Sequence, residues 1–72
     1  MVKMDMLRNH IKERRIPIED LALSMGISAS TLYRLIDSDG SKITIAQSLI
    51  LKDKLSLSNA EYNLIFLPKD SQ

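Results

Sequence analysis

Apolar residues recur at helical spacing along the chain and predict a series of short helices. Met4, Leu7 and Ile11 line one face of the first helix. The stretch from Ile18 to Ile36 holds two more, joined by a tight turn. We therefore expect an all-α fold in which residues 1–72 form one domain with five helices. The predicted helices cover about residues 2–15, 18–25, 29–37, 45–55 and 59–67.

The turn between the second and third helices carries the most specific local signals. Gly26 stands where the second helix must end, and glycine adopts a left-handed conformation without steric cost. Ser28 is placed to cap the third helix. Ile27 and Leu32 flank that cap with the spacing of a hydrophobic staple. The small Ala22 would let the two helices approach closely.

Two capping boxes predict where the last two helices begin. Thr44 with Gln47 opens the fourth helix, and Ser58 with Glu61 opens the fifth. Pro68 is expected to stop the fifth helix. The expected core residues of these helices are Ala46, Leu49, Ile50 and Leu55 in the fourth and Leu64, Ile65 and Phe66 in the fifth.

Seven residues at fixed spacing form one pattern: Leu21, Ala22, Met25, Gly26, Ile27, Leu32 and Leu35. This pattern resembles the helix-turn-helix of the Cro/CI repressor class, also called XRE-type. The likeness covers about residues 4–67, since the ending Ile65-Phe66-Leu67 is similar to that of small Cro/CI-like phage proteins, with leucine in place of a last aromatic residue. It implies a five-helix Cro/CI-like helix-turn-helix domain. An ordinary helical hairpin with a glycine turn is the alternative.

The residue types exclude most enzymatic and metal chemistry. The chain has no cysteine and a single histidine, His10, so no disulfide, thiolate metal site or spaced ligand pair is expected. No Ser-His-Asp set or glycine-rich phosphate loop is present, and Asp37 and Asp39 flank a turn. We expect no enzymatic activity, no cofactor and no metal.

The N-terminus predicts neither export nor membrane insertion. Lys3, Asp5 and Arg8 interrupt any apolar run there, and no apolar stretch approaches the ~20 residues that span a membrane. The expected location is the cytoplasm, and the resemblance implies that of a host bacterium.

The charge distribution does not favour tight DNA binding by the third helix. The net charge is +1, and residues 1–15 carry five basic and two acidic residues. Residues 28–44 carry Arg34 and Lys42 against Asp37 and Asp39 and are neutral. Arg14 and Arg15 close the first helix, where cations suit the helix dipole, and we prefer that role to phosphate binding.

In DNA-binding members of the family the third helix lies in the major groove of operator DNA. The resemblance carries the base-reading role onto Ser28, Ala29, Ser30, Thr31, Tyr33 and Arg34. Two family glutamines are replaced, one by Ile18 and one by Ala29. Glutamine pairs with adenine by two hydrogen bonds worth ~1–3 kcal/mol, which alanine cannot supply.

Apolar residues near the same helices suggest a protein partner instead. We expect Ile18, Leu23 and Ile36 to be partly exposed, within a rim of acidic residues that suits a basic protein surface. The alternative is that Ile18 and Leu23 are ordinary scattered surface residues. The predicted DNA- or partner-binding face consists of Ile18, Glu19, Leu23, Ser28, Ala29, Ser30, Thr31, Tyr33, Arg34, Asp37 and Lys42.

Two functions follow from the resemblance and from this face. The preferred one is an antirepressor, or modulator of repression, that binds a partner phage repressor through the helix-turn-helix face and contacts DNA weakly or conditionally. The alternative is a Cro-like repressor that binds operator DNA directly. Both belong to a temperate-phage switch between lysis and lysogeny. A homodimer is possible by analogy, through Tyr62, Phe66 and Leu67.

Overall fold

The computed structural model describes residues 2–68, which fold into five α-helices. Every predicted helix is present, and each predicted end lies within two residues of the observed one. Within the described part of the chain, no helix combines the length and apolar character needed to cross a membrane. The helices are α1 (Met4–Arg14), α2 (Ile18–Met25), α3 (Ala29–Ile36), α4 (Ile45–Lys54) and α5 (Asn59–Phe66).

The turn between α2 and α3 is built around a left-handed glycine. Gly26 has φ 72° and ψ 26°. Its N–H donates to the carbonyl of Leu23 and the N–H of Ile27 donates to the carbonyl of Ala22, each at 3.1 Å. These paired bonds are those of a Schellman motif, which satisfies the last carbonyls of a helix. The predicted role of Gly26 is confirmed.

Both predicted capping boxes are confirmed. Thr44 Oγ1 accepts from the N–H of Gln47 at 3.0 Å, and Gln47 Oε1 accepts from the N–H of Thr44 at 2.9 Å. Ser58 and Glu61 make the same reciprocal pair at 3.0 and 2.8 Å. Each box satisfies two N–H groups that would otherwise lack partners, so the sequence itself sets where α4 and α5 begin.

One apolar core joins all five helices. α2 packs against both α3 and α4, and α1 packs against α5. The N–H of Lys3 donates to the carbonyl of Ile65 at 2.8 Å, which fastens the start of the chain to α5. The buried apolar residues are Met4, Leu7, Ile11, Leu21, Ala22, Met25, Leu32, Ile36, Leu51, Leu55, Leu57 and Ile65.

The predicted inward face of α4 is wrong in part. Ala46 is exposed and Leu49 is 51% exposed, although Leu55 is buried as expected. The core instead receives Leu51 and Ser48, which is only 4% exposed. Apolar residues surround α4 on nearly every side, so its periodicity cannot select the face that turns inward.

The position of Ser48 is explained by α5. Its Oγ lies 2.6 Å from the hydroxyl of Tyr62 and also donates to the carbonyl of Ile45 at 2.7 Å. A buried hydroxyl is tolerated when its hydrogen bonds are made, and these two bonds set the rotation of α4. Leu64, expected in the core of α5, is 57% exposed because Ile65 occupies the inward position.

The basic end of α1 interacts with its own helix. Arg14 lies in the last turn of α1, and its Nη1 is 2.7 Å from Nδ1 of His10, one turn earlier. Arg15 follows with φ 54°, which ends the helix. These contacts agree with a structural role for the arginines at this helix end.

Candidate functional site

α3 is held at its first turn by a side-chain cap. Ser28 Oγ accepts from the N–H of Thr31 at 3.1 Å, as predicted, and donates to Thr31 Oγ1 at 2.9 Å. Arg34 Nη2 donates to the same Thr31 oxygen at 3.3 Å. A chain of hydrogen bonds therefore runs along one side of α3 and holds the guanidinium of Arg34 against the helix.

The other end of α3 is held by α1. Arg8 Nη1 donates to the carbonyl of Ile36 at 2.7 Å, and Arg8 Nη2 pairs with Asp5 at 2.5 Å. A cation at the last carbonyls of a helix both satisfies them and suits the helix dipole. Sequence reasoning missed this role, because the partners lie 28 residues apart.

The inward side of α3 is fixed by two apolar residues. Leu32 and Ile36 are buried, with Ile36 only 8% exposed. The expectation that Ile36 is partly exposed on the binding face is therefore wrong. It lies one turn after Leu32, so both side chains point into the core.

The opposite side of α3 forms one outward stripe. Ser30, Tyr33, Arg34 and Asp37 are all exposed and follow the spacing i, i+3, i+4 and i+7. Ala29 and Thr31 lie beside this stripe and are half-buried, while Ser28 is exposed. The predicted residues of α3 therefore share one surface, with the less accessible ones at its margin.

α2 contributes one prominent apolar side chain. Leu23 is 80% exposed, and the exposed Glu19 lies one turn before it. Ile18 does not join them, because it is half-buried and packs against the core. We use the name α2–α3 face for six exposed residues: Glu19 and Leu23 of α2, Ser30, Tyr33 and Arg34 of α3, and Asp37 at the end of α3.

A shallow groove of about 350 Å³ lies between the end of α3 and the loop that follows it. Arg34 and Lys42 both line this groove, together with Thr31, Leu35 and Ser38. The structure therefore brings the two predicted cations to one site. Leu35 and Ser38 were not predicted there, although they follow Thr31 at helical spacing.

The charge around the α2–α3 face is negative. Residues 18–44 contain four acidic and two basic residues, and all six are exposed. Asp39 accepts from the N–H of Ser41 at 2.9 Å, and this bond is the main cause that lowers the pKa of Asp39 below its ordinary value. Asp39 thus keeps its charge at neutral pH while serving the turn.

No protein-family model, curated protein or solved structure matches the chain. Among residues 2–68, no group of three or more His, Asp or Glu side chains is placed to hold a metal ion. The α2–α3 face presents the apolar side chain of Leu23, the hydroxyls of Ser30 and Tyr33, and charges of both signs.

Proposed function

We propose that the chain is a transcriptional switch regulator of the temperate-phage type. In this proposal it is a helix-turn-helix protein of the Cro/CI class, in the host bacterial cytoplasm, with no catalytic activity. It acts as an antirepressor, binding a partner phage repressor through the α2–α3 face. Support for the class comes from the left-handed Gly26 between α2 and α3, the Ser28 cap and the buried Ala22.

The exposure of Leu23 carries the preference for a protein partner. Leu23 is 80% exposed, so a partner that covers it removes its apolar surface from water. This burial stabilises the complex by about 25 cal/mol for each Å² of apolar surface. A phosphate backbone offers no comparable apolar contact. Interface hot spots are likewise buried side chains inside a polar rim, and here Glu19 supplies part of that rim.

The excess of acidic residues in residues 18–44 favours a partner with a basic surface. Four exposed carboxylates against two cations repel DNA and attract a basic protein surface. The DNA-reading surface of a repressor is basic, and covering it would prevent operator binding. Masking that surface is therefore the mechanism that we propose.

The groove between Arg34 and Lys42 supports the second candidate, a Cro-like repressor that binds operator DNA. Two cations in one groove could neutralise about two phosphates, which gives a salt slope of about −2 in a log–log plot of affinity. Contacts of this number support weak DNA binding only. In the antirepressor proposal the groove instead serves conditional contact with DNA.

One experiment separates the two candidates. The purified protein is titrated against the repressor of its own genetic element, and separately against a labelled duplex from that element's promoter region, at ~50 and ~200 mM salt. We expect repressor binding, and at most weak, non-selective binding to the duplex. Tight, sequence-selective binding to the duplex by the protein alone at the higher salt would refute the antirepressor proposal.

A matched pair of variants then tests the surface. Leu23→Ser should weaken repressor binding at least about tenfold, or about 1.4 kcal/mol, because it removes the apolar contact without adding a charge. Leu64→Ser is the control, because this leucine is also exposed but lies on α5. Equal effects of the two substitutions would show that Leu23 is not part of the interface.

A further inference from the structure

The groove between the end of α3 and the loop that follows it is rich in hydrogen-bond donors. Arg34 and Lys42 both line it. Within residues 2–68, the guanidinium of Arg34 donates only to Thr31 Oγ1, so most of its N–H groups remain available. The ammonium of Lys42 is exposed and makes no hydrogen bond or ion pair within the same residues. A ligand in the groove would therefore meet two cations with donors to spare.

The two hydroxyls of the groove add one more donor. Thr31 Oγ1 accepts from Ser28 Oγ and from Arg34 Nη2, which uses both of its lone pairs and leaves its hydrogen free to be donated. Ser38 Oγ donates to a carbonyl at the end of α3 at 2.6 Å and accepts from the N–H of Gly40 at 3.0 Å. The side-chain groups that remain are chiefly donors, so a ligand made of acceptors suits them.

The charge of the groove is not neutralised by the protein itself. Among residues 2–68, no carboxylate lines the groove, although four lie on residues 18–44. Leu35 supplies an apolar wall, and the volume of about 350 Å³ admits a carboxylate with the methylene groups that carry it. Cations for the oxygens and a leucine for the methylenes are complementary to an aspartate or glutamate side chain.

Binding of the proposed partner would cover this groove. Arg34 belongs to the α2–α3 face and also lines the groove. A repressor that covers the face therefore removes the guanidinium from water, together with the neighbouring ammonium of Lys42. A cation that loses its hydration is costly to bury unless an anion replaces the water. A partner that binds tightly must bring an anion to this position.

We propose that the groove is a carboxylate site and that, if the proposed function is correct, its ligand is an aspartate or glutamate of the partner repressor. Arg34 binds the carboxylate through its planar set of N–H groups, and Lys42 adds a second cation. The partner surface is then basic around one acidic residue. Its basic side chains meet Glu19 and Asp37, and the acidic one enters the groove.

A DNA phosphate is the other oxyanion that the groove could hold. A DNA strand continues with further phosphates on both sides, and these would approach the four exposed carboxylates of residues 18–44. A single carboxylate on an otherwise basic protein surface avoids this repulsion. Because both ligands need Arg34, DNA can use the groove only while no repressor covers it.

Removal of one cation distinguishes a carboxylate in the groove from a general attraction between opposite charges. If the partner surface is only basic, Lys42→Gln makes the region more acidic and should leave binding unchanged or slightly stronger. If a carboxylate occupies the groove, the same substitution removes one of its two cations and should weaken binding at least about tenfold. The two mechanisms therefore predict effects of opposite sign.

Isothermal titration calorimetry of the full chain with the repressor of its own genetic element measures this sign. We expect weaker binding for Lys42→Gln and nearly unchanged binding for Lys42→Arg, which keeps the cation. The control Lys12→Gln removes an exposed cation of α1 and should not weaken binding. Unchanged or stronger binding by Lys42→Gln would overturn the proposal. If the unsubstituted protein does not bind the repressor, the proposed function fails instead.

Acetate tests the groove without the repressor. Sodium acetate and sodium phosphate are titrated separately into the isotope-labelled chain at constant pH and ionic strength, with sodium chloride as the balancing salt, and backbone amide signals are followed by NMR. Acetate should shift the signals of Thr31, Arg34, Ser38 and Lys42, and Lys42→Gln should abolish these shifts. The absence of shifts with acetate would overturn the carboxylate site. Shifts with phosphate alone would assign the groove to DNA.

Discussion

The two glycines of the chain allow a direct test of how the loop after α3 is packed. Both have left-handed backbone, with φ of 72° at Gly26 and 85° at Gly40. A Cβ added at Gly26 would meet nothing within 4 Å. A Cβ added at Gly40 would lie 2.6 Å from Val2 Cβ and 2.9 Å from Met4 Sδ. Alanine therefore brings backbone strain at both sites but steric overlap only at Gly40.

The expected losses of stability follow from these distances. Left-handed backbone costs a non-glycine residue roughly 1–2 kcal/mol. Alanine also restricts the unfolded chain, which offsets ~0.4–1 kcal/mol, so Gly26→Ala should lose about 1 kcal/mol. Gly40→Ala adds the overlap, typically ~1–3 kcal/mol in a packed site. Val2 cannot move away freely, since the next residue, Lys3, is bonded to the carbonyl of Ile65.

Urea unfolding followed by far-UV circular dichroism measures both losses. A domain of this length has a free energy of unfolding of roughly 4–11 kcal/mol, so the Gly40→Ala loss is a large share of it. Gly26→Asn is the control, because asparagine tolerates left-handed backbone and should lose less than alanine. Equal losses for the two alanine variants would refute the reasoning and show that Val2 does not pack on this loop.

Two further predictions concern α5. Tyr62→Phe removes the bond to Ser48 and should cost ~0.5–1.5 kcal/mol in urea unfolding; no loss would mean that water replaces the bond. The N–H of Ser58 donates to the carboxylate of Glu61 and lowers its pKa below the ordinary value of 4.5. The ionised carboxylate therefore stabilises the fold above that pH. This contribution is lost as the pH falls through the pKa that Glu61 has in the folded protein. Glu61→Gln should therefore make the urea midpoint of unfolding change less between about pH 6 and about pH 3 than it does in the unsubstituted protein; an unchanged pH dependence would contradict this role of Glu61.

The helix ends were predictable because their causes are local. Gly26 and the capping boxes opened by Thr44 and Ser58 each act within a few residues, so the sequence alone contains the whole interaction. The same holds for the apolar stripes of α1 and α2, whose periodicity leaves one choice of inward face.

The rotation of α4 was not predictable, because a distant contact decides it. Ser48 is polar and would be assigned to the surface, but it is buried against the hydroxyl of Tyr62, 14 residues away. Leu49, which is apolar, lies outside instead. Arg8 is a similar case, since a residue that reads as a surface cation on α1 caps α3.

The sequence places the candidate site residues on particular helices but does not fix how accessible each one is. Ser30, Tyr33 and Arg34, which the resemblance marked as base readers, lie on the outward stripe of α3. The sequence pattern does not distinguish Leu23 from Ile18, yet Leu23 is exposed and Ile18 packs against the core. A side chain at the margin of a core is buried or exposed according to neighbours from other helices, which one sequence does not show.

The division of roles within α3 has a consequence for how binding specificity can change. Leu32 and Ile36 anchor the helix, and Ser28 and Arg8 secure its ends. Within residues 2–68, the side chain of Ser30 is exposed and makes no hydrogen bond. Positions such as this one can be randomised in a library without loss of folding. If the α2–α3 face binds a partner as proposed, its specificity can therefore change at such positions without a loss of stability.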